Sequence, residues 1–342
     1  MMAAKRVSSW PRVAERLAKL VPIDRLEPEV VQAAAAGRPA RWVVAVSGGA
    51  DSVALILLVW AHWPKQRGKL VAAHFNHRLR GAASAGDARF CAMVAKGLDI
   101  VFETAAWTDR PESVSEADAR AARNRFLSQV RRKYLSASIW TGHQQDDVAE
   151  TMLMRLSRGA GTTGLSAPRP VQDWGREGRR LRPLLGVSRE ELREALTEAK
   201  GRWREDGSNV QGEYFRNRVR RAVVPAWVEA AGRDAVQGAA WSRRLLAEDD
   251  AALEAWLDEL APVDCDGSLN LNVLKSRPVG VWRRALQRWL RGYAAFRGDL
   301  SRRGFEQLLK LAQAGETSRF SLGSEGFVRI RRGRLFFEKL SQ

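Results

Sequence analysis

Cysteine is nearly missing from this sequence. Cys91 and Cys265 are the only two in 342 residues, far apart along the chain and without Cys-x-x-Cys spacing. This argues against an iron–sulfur cluster or a structural zinc site and fits a reducing compartment, the cytoplasm. Membrane-length apolar runs are missing too, since Val53–Trp60 is far too short to span a bilayer. Lys5, Arg6, Pro11, Arg12, Glu15 and Arg16 break up the first twenty residues, so no secretory signal is expected. There is no internal repeat and no low-complexity tract. Acidic residues are in deficit, 39 against 57 basic ones, for a net charge of +18. Such a surplus favours a polyanionic partner, nucleic acid above all, over a merely solvated cationic surface.

The length is enough for two domains. Residues 1–40 read as a helical N-terminal extension ending in Gly37-Arg38-Pro39. From Trp42 strands and helices alternate. Strands are expected at Trp42–Val46, Leu70–Phe75, Asp99–Thr104 and Ser138–Trp140, and helices at Val53–Val59, Ala85–Gly97, Val114–Tyr134 and Asp146–Leu156. This pattern predicts an α/β fold with a doubly wound parallel sheet covered by helices on both faces. After Gly159 the chain turns loop-rich and basic, up to a capped helix at Ser188–Lys200. Beyond Val223-Val224-Pro225, helices are expected at Trp241–Leu260 and Val281–Ala295. Short strands follow at Arg319–Leu322, Gly326–Arg331 and Arg334–Glu338, the last two joined through Arg332-Gly333. The expected division is thus 1–40, a catalytic domain at 41–225, and a mainly helical C-terminal domain with a small stranded tail at 226–342.

One stretch organises the first domain. Ser47-Gly48-Gly49-Ala50-Asp51-Ser52 joins the first strand to the helix that follows. Paired glycines let the backbone approach a ligand with its N–H groups inward, and a helix N-terminus adds partial positive charge. A phosphate chain suits such a turn. Asp51 would repel it unless a bridging Mg²⁺ intervened. The plainer reading is a tight turn with Ser and Asp as caps. The stretch is neither a Walker loop nor Gly-x-Gly-x-x-Gly.

Other constellations gather at the same sheet edge. His74-Phe75-Asn76-His77-Arg78-Leu79-Arg80 ends the second strand, and its histidines lack the partners a metal site needs. Glu116, Arg120 and Arg123 share one helix face, either as a surface ion pair or as an arginine face toward phosphate. Thr141-Gly142-His143-Gln144-Gln145-Asp146-Asp147-Val148-Ala149-Glu150-Thr151 opens another helix, with Asp147 and Glu150 off the apolar stripe. Those carboxylates could serve the helix dipole, or hold a cationic amine or a metal. Arg155-Leu156-Ser157-Arg158-Gly159-Ala160-Gly161 and Glu205-Asp206-Gly207-Ser208-Asn209 follow. Tyr214-Phe215-Arg216-Asn217-Arg218-Val219-Arg220-Arg221 then mixes an aromatic pair with arginines, as RNA-binding segments do, or as an ordinary basic helix does.

The hexapeptide resembles the pyrophosphate loop of the N-type ATP pyrophosphatases, the PP-loop family. With the other motifs in that order, residues 40 to 222 resemble the tRNA(Ile)-lysidine synthetases. Phe126 stands where that family more often has Tyr, and Gly207 where Pro is common. The C-terminal third, 226–342, is similar only in general character, and the resemblance implies that it contacts the tRNA. The resemblance implies an adenine nucleotide alpha hydrolase-like fold and a two-step ligation in the cytoplasm. ATP adenylates C2 of the wobble cytidine in a CAU-anticodon tRNA(Ile), and free L-lysine displaces AMP to form lysidine. It further implies that Ser47, Gly48, Gly49, Ala50, Asp51, Ser52, His74, Gly142 and His143 bind ATP and that Asp51 holds Mg²⁺. Asp147 and Glu150 would bind lysine, and Arg120, Arg123, Arg216 and Arg218 the tRNA. Asp51, Asp147, Glu150 and Arg123 form the expected catalytic set, with Asp146 orienting it. No membrane partner is expected, and a homodimer is allowed. The alternatives are a tRNA thiolase on the same loop, a non-catalytic RNA-binding protein on a nucleotide-binding fold, and an amidotransferase-type synthetase acting on small molecules. Thiolases of the two-thiocytidine type need clustered cysteines, and a small-molecule synthetase leaves the basic charge unexplained.

Overall fold

The computed structural model describes residues 9–36, 40–78, 82–108, 111, 114–175, 178–205, 214–293 and 300–339. Leu79-Arg80, Gly37-Arg38-Pro39 and Asp206-Gly207-Ser208-Asn209, singled out above, lie outside the described residues. The chain forms two units, Met1–Ala247 and Glu248–Gln342.

The first unit begins with α1 (Trp10–Leu20), α2 (Pro28–Ala36), β1 (Trp42–Ala45), α3 (Ala50–His62), β2 (Leu70–Asn76) and α4 (Ala82–Gly97). β3 (Val101–Ala106), α5 (Glu116–Lys133), β4 (Ser138–Trp140), α6 (Gln145–Leu156) and the single turn α7 (Thr162–Leu165) follow. Then come β5 (Val171–Asp173), β6 (Arg179–Leu181), α8 (Arg189–Glu198) and α9 (Phe215–Arg218), which runs through a π-helical turn at Val219–Val223 into α10 (Val224–Ala231). The strand order is β3-β2-β1-β4-β6-β5. Every neighbouring pair is parallel except β5 with β6, with Val43 facing Val71 on one side and Ile139 on the other. The chain winds outward from β1 through β2 to β3, then returns to place β4 on the other side of β1. That reversal is the switch point, where the C-terminal strand ends splay apart and leave a crevice for ligands.

Helix α3 is buried from Val53 through Trp60 and so needs cover on both sides. The sheet covers one, and α1 and α8 cover the other through Val13, Ala14, Leu17, Leu192 and Leu196, all in one apolar cluster. Residues 1–40 therefore include core of the first unit, which the reading of an extension did not anticipate. On the opposite face, Phe126, Leu127 and Val130 of α5 pack on Val43, Val71 and Ile139. Two further differences concern later segments. The basic stretch expected as loop contains β5 and β6, masked in the sequence by arginines that turn out to be buried. Pro225, at the expected division between 225 and 226, sits in the first turn of α10, where a missing N–H is tolerated.

Helix α11 (Ala235–Leu260) contains the division between the units. The second unit continues with β7 (Leu269–Asn270), α12 (Leu271–Leu274), α13 (Val279–Arg291), α14 (Arg302–Ala314), β8 (Ser318–Ser321), β9 (Phe327–Arg331) and β10 (Arg334–Glu338). Its antiparallel sheet has the order β7-β10-β9-β8. Trp282, Leu286 and Trp289 of α13 share a core with Leu308 and Leu309 of α14 and with Val328, Ile330 and Leu335 of the sheet. Arg332 and Gly333 both have positive φ, 49° and 69°, as a two-residue hairpin turn between right-twisted strands requires. The expected stranded tail is present, while β7 and α14 add to the expected set. Among the described residues no helix is long and apolar enough to cross a membrane.

Candidate active site

The turn after β1 is braced from within. Ser52 Oγ accepts from the Ser47 and Gly48 backbone N–H groups, both at 3.1 Å, and donates to Gly49 O at 2.9 Å. Ser52 is 8% exposed, so it shapes the turn from inside. The N–H groups of Ala50 and Asp51, first in α3, have no intrahelical acceptor and are the ones left for an anion. Gly48 has φ +96°, which disfavours any other residue. From outside, Arg204 N–H donates to Gly48 O at 2.9 Å, and Arg204 Nε donates to Asp87 at 3.0 Å.

The β4–α6 loop closes against this turn. A Cβ on Gly142 would lie 2.8 Å from Asp51 O, so only glycine allows the two loops to meet. Here α6 begins with a capping box in which Gln144 N–H donates to Asp147 Oδ2 at 3.1 Å. Asp147 therefore serves the helix end, yet its other oxygen and Glu150, which is 1% exposed, face arginines. Arg216 donates to Asp147 at 2.7 Å and to Glu150 at 2.8 Å. Arg220 donates to Glu150 at 2.5 Å, and Arg189 reaches the same carboxylate at 3.4 Å. Asp146 accepts from the Arg189 backbone N–H at 3.0 Å. Asp51 Oδ1 is buried with no partner among the described residues. Burial, then the charge of Asp147, raises the Asp51 carboxyl to about 6.

A cavity of about 380 Å³ opens at the switch point, lined by Ser47, Asp51, Ser52, Gly142, Asp147 and Arg216 and walled by arginines; Glu150, Arg189 and Arg220 lie behind that lining. Arg120 and Arg123 come from α5 and Arg180 from β6. Arg180 is 1% exposed, with its guanidinium 4.2 Å from the centre of the Trp174 ring and a 3.0 Å bond to Asn124 Oδ1. Burial, and then neighbouring arginines, pulls Arg123 down to about 10 and Arg180 to about 9, so both remain cationic at neutral pH. His143 is bonded to Thr141 Oγ1 at 3.0 Å, and burial, followed by four nearby arginines, lowers it well below the ordinary range.

The expected residues thus converge, with exceptions. His74, expected at the nucleotide, does not line the cavity: Ala73 and Phe75 point into it, and strand alternation turns His74 away. Its Nδ1–H donates to Val46 O at 2.9 Å, supporting the start of the turn. His77 lines the cavity instead. Arg218 is exposed, near the Phe215 ring. Arg216, expected on RNA, lies inward on the carboxylates. Sequence reasoning overlooked Arg180, Arg189 and Arg220. The position of Arg220 was readable, four residues after Arg216 and so on the same helix face.

Fold and site together define a nucleotide-binding α/β protein with a glycine phosphate turn at the switch point of its sheet. A family model described as the PP-loop domain matches residues 23–227. A tRNA(Ile)-lysidine synthase from Salinispora arenicola is 36% identical over 273 residues, covering 78% of this chain and 80% of that protein. Those from Geobacter sulfurreducens and Symbiobacterium thermophilum are 38% and 39% identical, covering 78% and 68% of this chain. The chain spans only 58% and 48% of the length of those two. Among solved structures, a U34-tRNA thiolase from Methanococcus maripaludis with its 4Fe–4S cluster has a TM-score of 0.50 at 18% identity, covering 69% of this chain and 78% of that one, a likeness of fold. The chain belongs to the PP-loop family and, within it, to the tRNA(Ile)-lysidine synthases.

Proposed function

We propose that the chain ligates L-lysine to C2 of the wobble cytidine of a CAU-anticodon tRNA(Ile), consuming ATP in the cytoplasm. The observation that carries the proposal is the meeting, in one cavity, of the glycine turn, Asp51, Asp147 and an arginine wall, with buried Glu150 joined to Asp147 behind it through Arg216. In the first step the cytidine O2 attacks the α-phosphorus of ATP, and pyrophosphate leaves. In the second, the lysine amine, after losing a proton, attacks C2, and the C–O bond to AMP breaks. The N-terminal turn of α3 receives the phosphates, and Arg120 and Arg123 face the RNA and the charge that develops on phosphorus.

Asp51 fits a Mg²⁺ ion. Its Oδ1 is a buried oxygen without a partner, and a cation there would offset the repulsion from Asp147. Among the described residues no three His, Cys, Asp or Glu side chains cluster as a metal cage, so the remaining ligands would be phosphate oxygens and water. When bound, the ion supplies neutralisation of the pyrophosphate charge.

Asp147 and Glu150 are the lysine carboxylates in this reading. Arg189, Arg216 and Arg220 already neutralise them, so the incoming ammonium takes the place of a guanidinium. Incubation with ATP, labelled lysine and total tRNA, followed by nucleoside analysis, tests the reaction. Label in lysidine is the expected result. AMP formation without label in the RNA would overturn it.

A further inference from the structure

A second cavity, about 270 Å³, adjoins the first and shares Glu116, Arg120, His143 and Arg216 with it. None of the residues Ser47–Ser52 lines it. Phosphates held on the turn therefore do not fill it. Its lining includes Arg182, which is 3% exposed. Arg182 Nη1 donates to Arg169 O at 2.7 Å and Nη2 to Gln172 Oε1 at 2.9 Å. Its Nε is buried with no partner among the described residues. Thus a buried guanidinium meets only neutral acceptors. Arg155 and Arg158 stand beside it, Arg155 with its Nη1 2.5 Å from Gly164 O. Arg158 follows the end of α6, where Gly159 turns the chain with φ +69° and Ala160 N–H bonds back to Arg155 O at 3.0 Å. The one carboxylate in the lining is Glu116.

Guanidinium groups gathered in this way oppose each other. Burial, then Arg120 and Arg155, pulls Arg182 down to about 10, and burial, then Arg120 and Arg158, acts on Arg155 in the same direction. An anion offsets that repulsion, and the planar fork of arginine matches phosphate oxygens.

We propose that this cavity binds a backbone phosphodiester of the RNA strand, next to the nucleotide whose base enters the first cavity. The proposal rests on the RNA reading above and assigns Arg155, Arg158 and Arg182 to it. Free pyrophosphate shares the same chemistry, so the test has two arms. A CAU anticodon stem-loop is titrated by fluorescence anisotropy over a range of salt, and inorganic pyrophosphate by calorimetry, on the wild type, Arg158→Glu and Arg182→Gln. The expected result is at least about a tenfold loss of RNA affinity in Arg158→Glu, with a log–log salt slope shallower by about 0.7 for one lost phosphate. RNA binding also weakens in Arg182→Gln, and pyrophosphate affinity is unchanged in both. Should Arg182→Gln fail to fold, the exposed Arg158 decides alone. Wild-type RNA affinity in the folded variants overturns the proposal, and so does loss confined to pyrophosphate. Lysidine formation by the wild type is assayed alongside. If lysidine forms while the variants bind RNA normally, the cavity assignment alone fails. If the wild type binds the stem-loop through this cavity but forms no lysidine, the reaction assignment alone fails.

Discussion

Two buried arginines of this chain live in opposite settings. Arg284, on α13 of the second unit, is 6% exposed and pairs with Asp250 and, at 3.0 Å, with Glu254. Arg182, in the first unit, is as deeply buried and meets a carbonyl and an amide. The difference recurs around each. In the second unit Arg283, Arg288, Arg319, Arg329 and Arg334 all have carboxylates within 4 Å. Around the cavities of the first unit Arg216 has Asp147 and Glu150, whereas Arg120, Arg123, Arg180 and Arg182 have no carboxylate within 4 Å among the described residues. A paired arginine is internally balanced and holds structure together. A buried arginine without a counter-charge is balanced only when a ligand brings one.

The largest effect separates the two directly. Arg284→Gln takes a buried cation away from Asp250 and Glu254 and should lower the unfolding free energy by about 3–5 kcal/mol. Arg182→Gln gives up hydrogen bonds to Arg169 O and Gln172 Oε1 but also relieves a buried charge that has no counter-charge, so without RNA the loss should be smaller, about 1–2 kcal/mol. Urea unfolding of both variants checks this, and equal losses would break the comparison.

Asp51 is the converse, a carboxylate without a cation. Asp51→Asn should slow pyrophosphate release at least about a hundredfold while RNA binding changes little. Its stability should move the other way. The folded state holds the Asp51 proton up to about 6, against 3.8 in an unreacted reference carboxyl. Between those values the folded chain binds more protons than the unfolded one, so stability declines as pH rises from about 4 to about 6, and above that the full penalty of about 3 kcal/mol is present. Asn has no such decline. The variant should therefore be more stable than wild type at pH 7.5 and equal to it near pH 4, as thermal unfolding across pH would reveal.

A smaller effect concerns the carboxylates that arginines already occupy. Glu150→Gln should raise the lysine requirement at least about tenfold, or ~1.4 kcal/mol, with adenylated tRNA accumulating at low lysine. Loss of adenylation with unchanged lysine dependence would move the pair to the ATP site. The smallest change is expected at exposed Arg218, where Arg218→Ala should flatten the salt dependence of tRNA binding by less than about one unit. An unchanged slope and affinity would place Arg218 off the RNA.

Much of this was legible in one dimension, because it depends on near neighbours. The apolar run at β1, the paired glycines and the helix after them are consecutive, so their geometry follows from local sterics and propensity. The capping box that begins with Ser188 and the Arg332-Gly333 hairpin are equally local. What failed was anything whose environment comes from elsewhere. Arg179-Arg180-Leu181-Arg182 looks like a solvated loop until β4 and β5 pair with it and Arg180, Leu181 and Arg182 become buried. His74 and Phe75 are adjacent in sequence, and only the packed sheet tells which one faces the cavity.

By itself, then, the sequence determined that a glycine turn sits between a strand and a helix, and that Asp147 and Glu150 lie on one face of a later helix. Only the tertiary structure decided what those carboxylates touch. Arg216 and Arg220 come from 66 to 73 residues away, and the chain must close that distance before either guanidinium has a partner. Periodicity can place a charge on a face, but its counter-charge is set by which faces the fold brings together.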